Sequence, residues 1–158
     1  MIEIERKFLV VSDDFKRGAF KKTRIIQGFL NTAKERTVRV RIKGNKGFLT
    51  VKGKSTNDGL SRFEWEKEID KTDAEALLKL CDPTIIDKER YEVKVKNHTF
   101  EIDVFFGANK GLTIAEIELE SENEPFEKPN WLGEEVTGQI KYYNSQLSKQ
   151  PFKTWQEQ

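Results

Sequence analysis

The chain has 158 residues and a mass of 18.4 kDa, the size of one domain rather than two. Hydrophobic residues make up 36% of it, including 11 phenylalanines and 3 tryptophans, so it can bury a core and is not a disordered segment. Lys+Arg 28 against Asp+Glu 27 leaves a formal net charge of +1, so no overall field draws it to nucleic acid or an anionic membrane. We therefore expect one domain over residues 1–158 whose charge-based function is local.

Cysteine content and apolar runs indicate the compartment. Cys81 is the only cysteine, which excludes a disulfide framework and a thiolate zinc cluster and fits a reducing environment. The N-terminus starts acidic where a signal peptide would be apolar, and no run approaches the roughly 18 apolar residues of a membrane span. We expect a soluble cytoplasmic protein without a membrane or nucleic-acid partner.

Alternation of apolar and polar residues predicts strands over most of the chain. In chain order they cover residues 2–10, 24–30, 36–43, 47–53, 61–69, 86–96, 99–106 and 113–120. Short turn-forming stretches at 44–47 and 96–98 separate neighbouring strands, as antiparallel hairpins require. The predicted fold is α+β with a mostly antiparallel sheet of eight strands.

Three short helices are predicted to cover the apolar face of the sheet. The first follows a cap at Ser12 and covers 13–20, and the second starts at a capping box at 72–75 and stops at Pro83. The third begins near Thr137 and runs past Leu147. Residues 121–129 contain two prolines and little periodicity, so we predict a loop there.

The polar face of the predicted sheet is charged in every strand. Carboxylates dominate the first, fifth, seventh and eighth strands, and cations dominate the third, fourth and sixth. An ordinary sheet with one solvated face is the simplest interpretation, but such a face usually mixes signs, because like charges directly opposite each other are destabilising. The segregation favours a ligand that holds both sets together.

The charged residue types indicate what that ligand is. Carboxylate oxygens suit Mg²⁺ or Mn²⁺, and a single histidine argues against zinc. Clustered Arg and Lys need an anion, and the planar Arg fork matches phosphate oxygens. A polyphosphate bridged to carboxylates by divalent ions and clamped by cations would satisfy both sets.

The sequence resembles the CYTH domain proteins, also called triphosphate tunnel metalloenzymes. Its opening, Glu3-Ile4-Glu5-Arg6-Lys7-Phe8, resembles the family's N-terminal ExExK signature, which is a weak signal alone. The similarity continues in the family's order at 27–30, 39–41, 50–52, 63–66, 88–91, 101–103, 116–120, 131–137 and 142–144. The resemblance implies a closed eight-stranded barrel that forms a tunnel with a charged interior, a few covering helices outside, and a homodimer.

The resemblance also implies roles for the charged residues. Divalent metal, as two ions of Mg²⁺ or Mn²⁺, would be held by Glu3, Glu5, Asp103, Glu116 and Glu118. The triphosphate would be bound by Lys7, Arg39, Arg41, Lys52, Lys88 and Arg90. Glu64 and Glu66 match a further acidic pair, and Glu120 is either a partner of the metal ligands or purely structural.

The implied activity is metal-dependent hydrolysis of a triphosphate, and the small bacterial members favour inorganic triphosphate. Open alternatives are a thiamine or nucleoside triphosphatase, a class IV adenylate cyclase and a non-catalytic polyphosphate-binding module. Phe29 stands where many relatives carry tyrosine, which leaves the substrate open. Lys7, if other cations surround it and depress its pKa, is a candidate catalytic base; the alternative is a plain phosphate contact.

Overall fold

The structure, a computed structural model, describes residues 2–155. Over that range it has nine strands: Ile2–Val10 (β1), Ala19–Ala33 (β2), Arg36–Lys43 (β3), Lys46–Gly53 (β4), Ser61–Ile69 (β5), Ile86–Val95 (β6), His98–Phe105 (β7), Thr113–Leu119 (β8) and Leu132–Glu135 (β9). Two α-helices cover Lys71–Leu78 (α1) and Asn144–Leu147 (α2). Short 3-10 turns cover Asp14–Gly18, Gly107–Asn109, Ile140–Tyr142 and Phe152–Thr154. Within the same range, no helix has the length and apolarity needed to cross a membrane.

Eight of the strands close into an antiparallel barrel. The hydrogen-bonded order is β5-β4-β3-β2-β6-β7-β8-β1, and the first residues of β1 pair back onto β5, which completes the ring. β9 pairs with the end of β1 outside the ring. Closure pairs the backbone N–H and C=O groups that an open sheet would leave unpaired at its two edges. The predicted eight-stranded closed barrel is therefore confirmed, and β9 is an addition to it.

The strand register places the charged residues on one continuous face, and closure turns that face inward. Residues directly opposite each other in an antiparallel pair point to the same side of the sheet. Glu3 lies opposite Arg62 across the β1–β5 seam, and Lys7 lies opposite Glu116 of β8. The same relation links each strand to the next around the barrel, so the alternation seen in the sequence becomes a charged interior.

The outward face is apolar, and on β1, β7 and β8 neighbouring chain covers most of it, whereas Phe63 and Trp65 of β5 are exposed. Phe8, Phe100 and Ile117 pack there against Phe15 of the first 3-10 turn and Trp131 of the loop before β9. Burial of each such side chain contributes about 1.5–3 kcal/mol. The barrel is thus held from outside by apolar packing, which leaves its interior available for charges.

The C-terminal segment closes one end of the barrel. Inward positions at that end are apolar, as at Phe29, Ile86 and Phe105, and they pack with Tyr142 and Leu147 of the returning chain. The charged part of the interior therefore has an apolar floor, and the segment that forms this floor also reaches the cavity above it.

The predicted loop at 121–129 is confirmed, but the helices differ from prediction. Residues 14–18 form only a 3-10 turn, because β2 already begins at Ala19 and pairs there with Val93 of β6. α1 confirms the second predicted helix, but it begins at Lys71 with Asp70 in the N-cap position, so Thr72 lies inside the helix and the predicted capping box at 72–75 is wrong. The helix predicted from Thr137 is broken by Gly138, whose φ of 79° is left-handed, and only single turns follow.

A bidentate ion pair ties β9 to β1. Arg6 donates from Nε to Glu135 Oε2 at 2.8 Å and from Nη2 to Oε1 at 2.6 Å, and Thr137 Oγ1 donates to Oε2 at 2.7 Å. The hydrogen bond from Arg6 is the main cause that holds the pKa of Glu135 below its ordinary value. The pair fixes the start of the segment that returns to the barrel.

We expect Glu135→Gln to lower the free energy of unfolding by about 1 kcal/mol at neutral pH. Because the folded-state pKa of Glu135 is depressed, the ionic contribution is complete above the unfolded-state pKa of about 4.3 and is lost as the pH falls through the folded-state value. Urea unfolding of both proteins from pH 7 down to about pH 3 measures this. A difference that stays constant over the series would contradict the ionic origin.

Candidate active site

The interior of the barrel holds a cavity of about 240 Å³ with a mainly charged wall. Its carboxylates are Glu3, Glu5, Glu64, Glu66, Glu101, Glu116 and Glu118. Its cations are Lys7, Lys43, Lys52, Lys88, Arg39, Arg41, Arg62 and Arg90. All the residues that the sequence assigned to the site line this cavity except Asp103 and Glu120.

Asp103 also points into the barrel, but it is buried beneath the residues that line the cavity, where it holds two of the cations. Its Oδ1 and Oδ2 accept hydrogen bonds from Arg90 Nε and Nη2 at 2.8 and 2.9 Å, and Oδ2 is 2.7 Å from Lys88 Nζ. Burial alone would raise the pKa of Asp103, but the charges of Arg90 and Lys88 hold it far below the ordinary value. Both oxygens are engaged, so Asp103 orients Arg90 and Lys88.

Glu120 lies outside the cavity as well. It is exposed just after β8, and its backbone N–H donates to Glu124 Oε1 at 2.6 Å. This bond belongs to the loop that covers the outer apolar face. Of the two alternatives for Glu120, the structural one fits this position.

The carboxylates of β1 and β8 form a group that repels itself. Glu5 lies directly opposite Glu118, and desolvation followed by the charges of Glu116 and Glu3 raises the pKa of Glu5 well above its ordinary value. Like charges at such a pair are destabilising. An oxygen-only donor set of this kind fits Mg²⁺ or Mn²⁺, whose charge would relieve the repulsion.

Lysines neutralise part of this group. Lys52 Nζ is 3.0 Å from Glu3 Oε1, and Lys7 Nζ is 3.2 Å from Glu116 Oε2. Among residues 2–155, no three Asp, Glu, His or Cys side chains converge in a ready-made metal site. A bound cation would therefore compete with Lys52 and Lys7, which frees their ammonium groups for an anion.

The cations of β3 are short of negative charge. Glu66 Oε2 accepts from Arg39 Nη2 at 3.3 Å, from Arg41 Nη2 at 3.4 Å and from Thr50 Oγ1 at 2.6 Å, but the buried Nε atoms of both arginines have no acceptor within the described residues. Burial, followed by the charges of Arg39 and Arg90, lowers the pKa of Arg41 to about 9. A phosphate oxygen would supply the missing acceptor and charge.

The predicted environment of Lys7 is wrong. Its neighbours are carboxylates and the Tyr143 ring, whose centroid lies 5.0 Å from Nζ, rather than cations. Burial opposes the charged form, but Glu116 and Glu5 outweigh it and raise the pKa of Lys7. The amine is therefore protonated at neutral pH, as a phosphate contact requires and a base does not.

The depressed pKa that was expected for Lys7 is found at Lys88. Burial lowers its pKa to about 8 despite Asp103, with Arg90 as a further cause. Its Nζ also donates to Asn144 Oδ1 at 3.1 Å, and Asn144 accepts from Gln27 Nε2 at 3.2 Å. The returning C-terminal segment thus helps to hold a cation of the cavity wall.

Several lining residues were missing from the predicted set. Arg62 shares its strand face with Glu64 and Glu66, so the alternation itself could have found it. Lys43 and Glu101 extend predicted charged faces in the same way. The C-terminal segment contributes Thr137, Gly138, Tyr143, Asn144 and Ser145. Thr137, Tyr143 and Asn144 lie in stretches that resemble the family but were given no role in the site, and no pattern marks Gly138 or Ser145.

A closed antiparallel barrel with carboxylates and cations segregated inside defines a charged-tunnel protein. The sequence matches the CYTH domain family over residues 1–150, so the chain belongs to that family, as its motifs predicted. It is 47% identical over 156 residues to the "Inorganic triphosphatase" of Acetivibrio thermocellus, in an alignment that covers 98% of each chain. It is 38% identical over 152 residues to the "Inorganic triphosphatase" of Nitrosomonas europaea, over 94% of this chain and 97% of that one.

A solved structure agrees with these relatives. The crystal structure of the inorganic triphosphatase NE1496 aligns with a TM-score of 0.67 and 35% identity, over 92% of this chain and 93% of that chain. The similarity extends over most of both chains.

Proposed function

We propose that the protein hydrolyses inorganic triphosphate to pyrophosphate and phosphate with the help of divalent metal. The segregation of charge inside the barrel carries this proposal. β1 and β8, which bear the carboxylates, are neighbours, whereas the cationic β3 and β4 lie across the tunnel. A triphosphate between the two walls would meet cations on one side and metal ligands on the other. The two relatives named inorganic triphosphatase support the same activity.

The carboxylate wall is the place for the metal. Glu3, Glu5, Glu116 and Glu118 would hold Mg²⁺ or Mn²⁺, and Asp103, buried beneath them, would act through Lys88 and Arg90. When bound, such ions neutralise phosphate charge and lower the pKa of a coordinated water. The number of ions stays the prediction made from the sequence, which is two.

The protein's own cations bind and orient the phosphates. Arg39 and Arg41 present hydrogen-bond donors that lack acceptors, and Lys52 and Lys7 face the tunnel from β4 and β1. Arg90 is fixed by two hydrogen bonds to Asp103, so its donors are in place before the substrate arrives. Preorganised cations of this kind stabilise the charge that develops on the transferred phosphoryl oxygens.

The character of the cavity favours an inorganic substrate. Among its described lining, the larger apolar or aromatic side chains are Phe29, Leu60 and Tyr143, and one face of Tyr143 already meets Lys7. A nucleobase or thiazole ring would find little surface to stack on. Homodimer formation and action in the cytoplasm stay predictions.

One assay tests the proposal. Phosphate, pyrophosphate and cyclic AMP are measured after incubation with inorganic triphosphate, ATP or thiamine triphosphate, each with Mg²⁺, Mn²⁺ or EDTA. We expect phosphate and pyrophosphate from inorganic triphosphate with metal and neither in EDTA. Cyclic AMP from ATP would make the protein a cyclase, and binding without turnover on every substrate would make it a non-catalytic module.

A further inference from the structure

A second cavity, of about 570 Å³, opens beside the tunnel. It lies between the β2–β3 turn, the loop after β4 and the C-terminal segment. The side chains of Thr37, Arg62, Tyr143 and Ser145 belong to the lining of both cavities. The second cavity is therefore adjacent to the place where the proposed function puts a triphosphate.

The charged lining of this second cavity has one sign only. Its charged residues are Lys34, Lys54, Arg62 and Lys149, and no Asp or Glu lines it among residues 2–155. Arg62 donates to neutral acceptors, Gly53 O at 3.1 Å and Thr37 Oγ1 at 3.4 Å. The three lysines form no salt bridge with the described carboxylates, whereas Lys7 and Lys52 in the tunnel do. Such a cavity attracts an anion and has no carboxylate that could bind a metal ion.

Two glycines, Gly59 and Gly138, line both cavities and contact each other at their boundary. A Cβ on Gly59 would lie 2.3 Å from Gly138 Cα, and both residues have left-handed φ angles, of 78° and 79°. The loop after β4 and the C-terminal segment can approach this closely only because neither residue has a side chain. This contact fixes the loop that carries Lys54 against the segment that carries Lys149.

The lining favours phosphate over an organic group. Tyr143 is the only aromatic residue of this cavity within the described chain, and its ring already faces Lys7. Arg62 belongs to the lining of both cavities, so a chain of phosphates that extended from one to the other would meet its positive charge at the boundary. A nucleoside would need stacking surface, and an acidic peptide would need backbone partners as well as charge.

We propose that the second cavity binds the additional phosphates of linear polyphosphates longer than triphosphate, with Lys34, Lys54 and Lys149 as the contacts outside the tunnel. The proposal rests on the proposed function, because it places the reacting end of the chain among the tunnel residues. It makes chain length a property that these three exposed lysines determine.

The test compares two triple variants with the wild-type protein. Lys34→Ala/Lys54→Ala/Lys149→Ala removes the proposed contacts, and Lys22→Ala/Lys79→Ala/Lys110→Ala removes the same charge from exposed positions elsewhere. We expect the first variant alone to raise the KM for long-chain polyphosphate about tenfold, with the KM for inorganic triphosphate within about twofold of wild type. Equal effects of both variants, or an equal rise for both substrates, would overturn the proposal. A rise confined to ATP would assign the cavity to nucleotides instead.

A binding measurement separates this proposal from the proposed function. Isothermal titration of long-chain polyphosphate into the protein in EDTA reports binding without turnover. If inorganic triphosphate is not hydrolysed but long-chain polyphosphate binds and the first triple variant loses about tenfold in affinity, the proposed function fails and the second site stands. If wild type and variant bind equally, the second site fails whatever the activity.

Discussion

Glu5→Gln is expected to abolish metal-dependent triphosphate hydrolysis, with a fall in kcat of at least about 100-fold, without harming the fold. The amide keeps the size of the side chain but removes one of the negative charges that would hold metal. Glu5 lies on β1 opposite Glu118, and the charges of Glu116 and Glu3 raise its pKa, so its carboxylate is central to the group.

The same substitution is expected to leave the metal-free protein as stable as wild type or more stable. The folded-state pKa of Glu5 is raised, so its ionised form is unfavourable in the folded protein above the unfolded-state pKa. Removal of that charge relieves repulsion within the tunnel. Loss of activity together with undiminished stability identifies a residue kept for function at a cost in stability.

Thermal unfolding with and without Mg²⁺ or Mn²⁺ provides the second readout. Metal that binds the folded protein raises the wild-type Tm, and we expect this rise to be absent in Glu5→Gln. Glu134→Gln is the matched control, since it makes the same change at an exposed position of β9. A Glu5→Gln protein that keeps activity within a few-fold of wild type would remove Glu5 from the metal site.

The charged interior was predictable because it depends on local alternation. Arg39 and Arg41 share a strand face at any register, and the same holds for Glu116 and Glu118. Once the sheet closes, every such face points into one cavity. Most of the predicted set lines the tunnel for this reason, and Arg62 belonged in that set on the same grounds.

The neighbours of each side chain were not predictable in the same way. The environment of Lys7 depends on the pairing of β1 with β8, which sequence alternation does not specify, and this pairing brings Glu116 rather than a cation beside it. Asp103 lies opposite Arg90 across β6 and β7 on the inward face, where Arg90 and Lys88 engage it and bury it beneath the cavity. Tyr143 and Asn144 reach the site from a returning segment whose path is set by tertiary contacts.

Lys7→Met is expected to lower kcat/KM for inorganic triphosphate by about 100-fold, mainly through a higher KM. Lys7 is protonated at neutral pH because Glu116 and Glu5 raise its pKa, so it can neutralise phosphate but cannot accept a proton. A base would give a different result, in which kcat falls while KM is retained. Steady-state kinetics over a range of inorganic triphosphate concentrations separates the two.

Lys7→Arg provides the matched control, since it keeps the positive charge and changes only its shape. We expect the kcat/KM of Lys7→Arg to be about tenfold higher than that of Lys7→Met. If Lys7 were a base there would be no such recovery, because arginine stays protonated. The Met variant leaves Glu116 without its nearest cation, but Arg90 Nη2 remains 3.6 Å from that carboxylate. The loss of stability is therefore limited to about 1–2 kcal/mol, and urea unfolding checks that the variant is folded under assay conditions. A lowered kcat at unchanged KM, without recovery in Lys7→Arg, would restore Lys7 as the catalytic base.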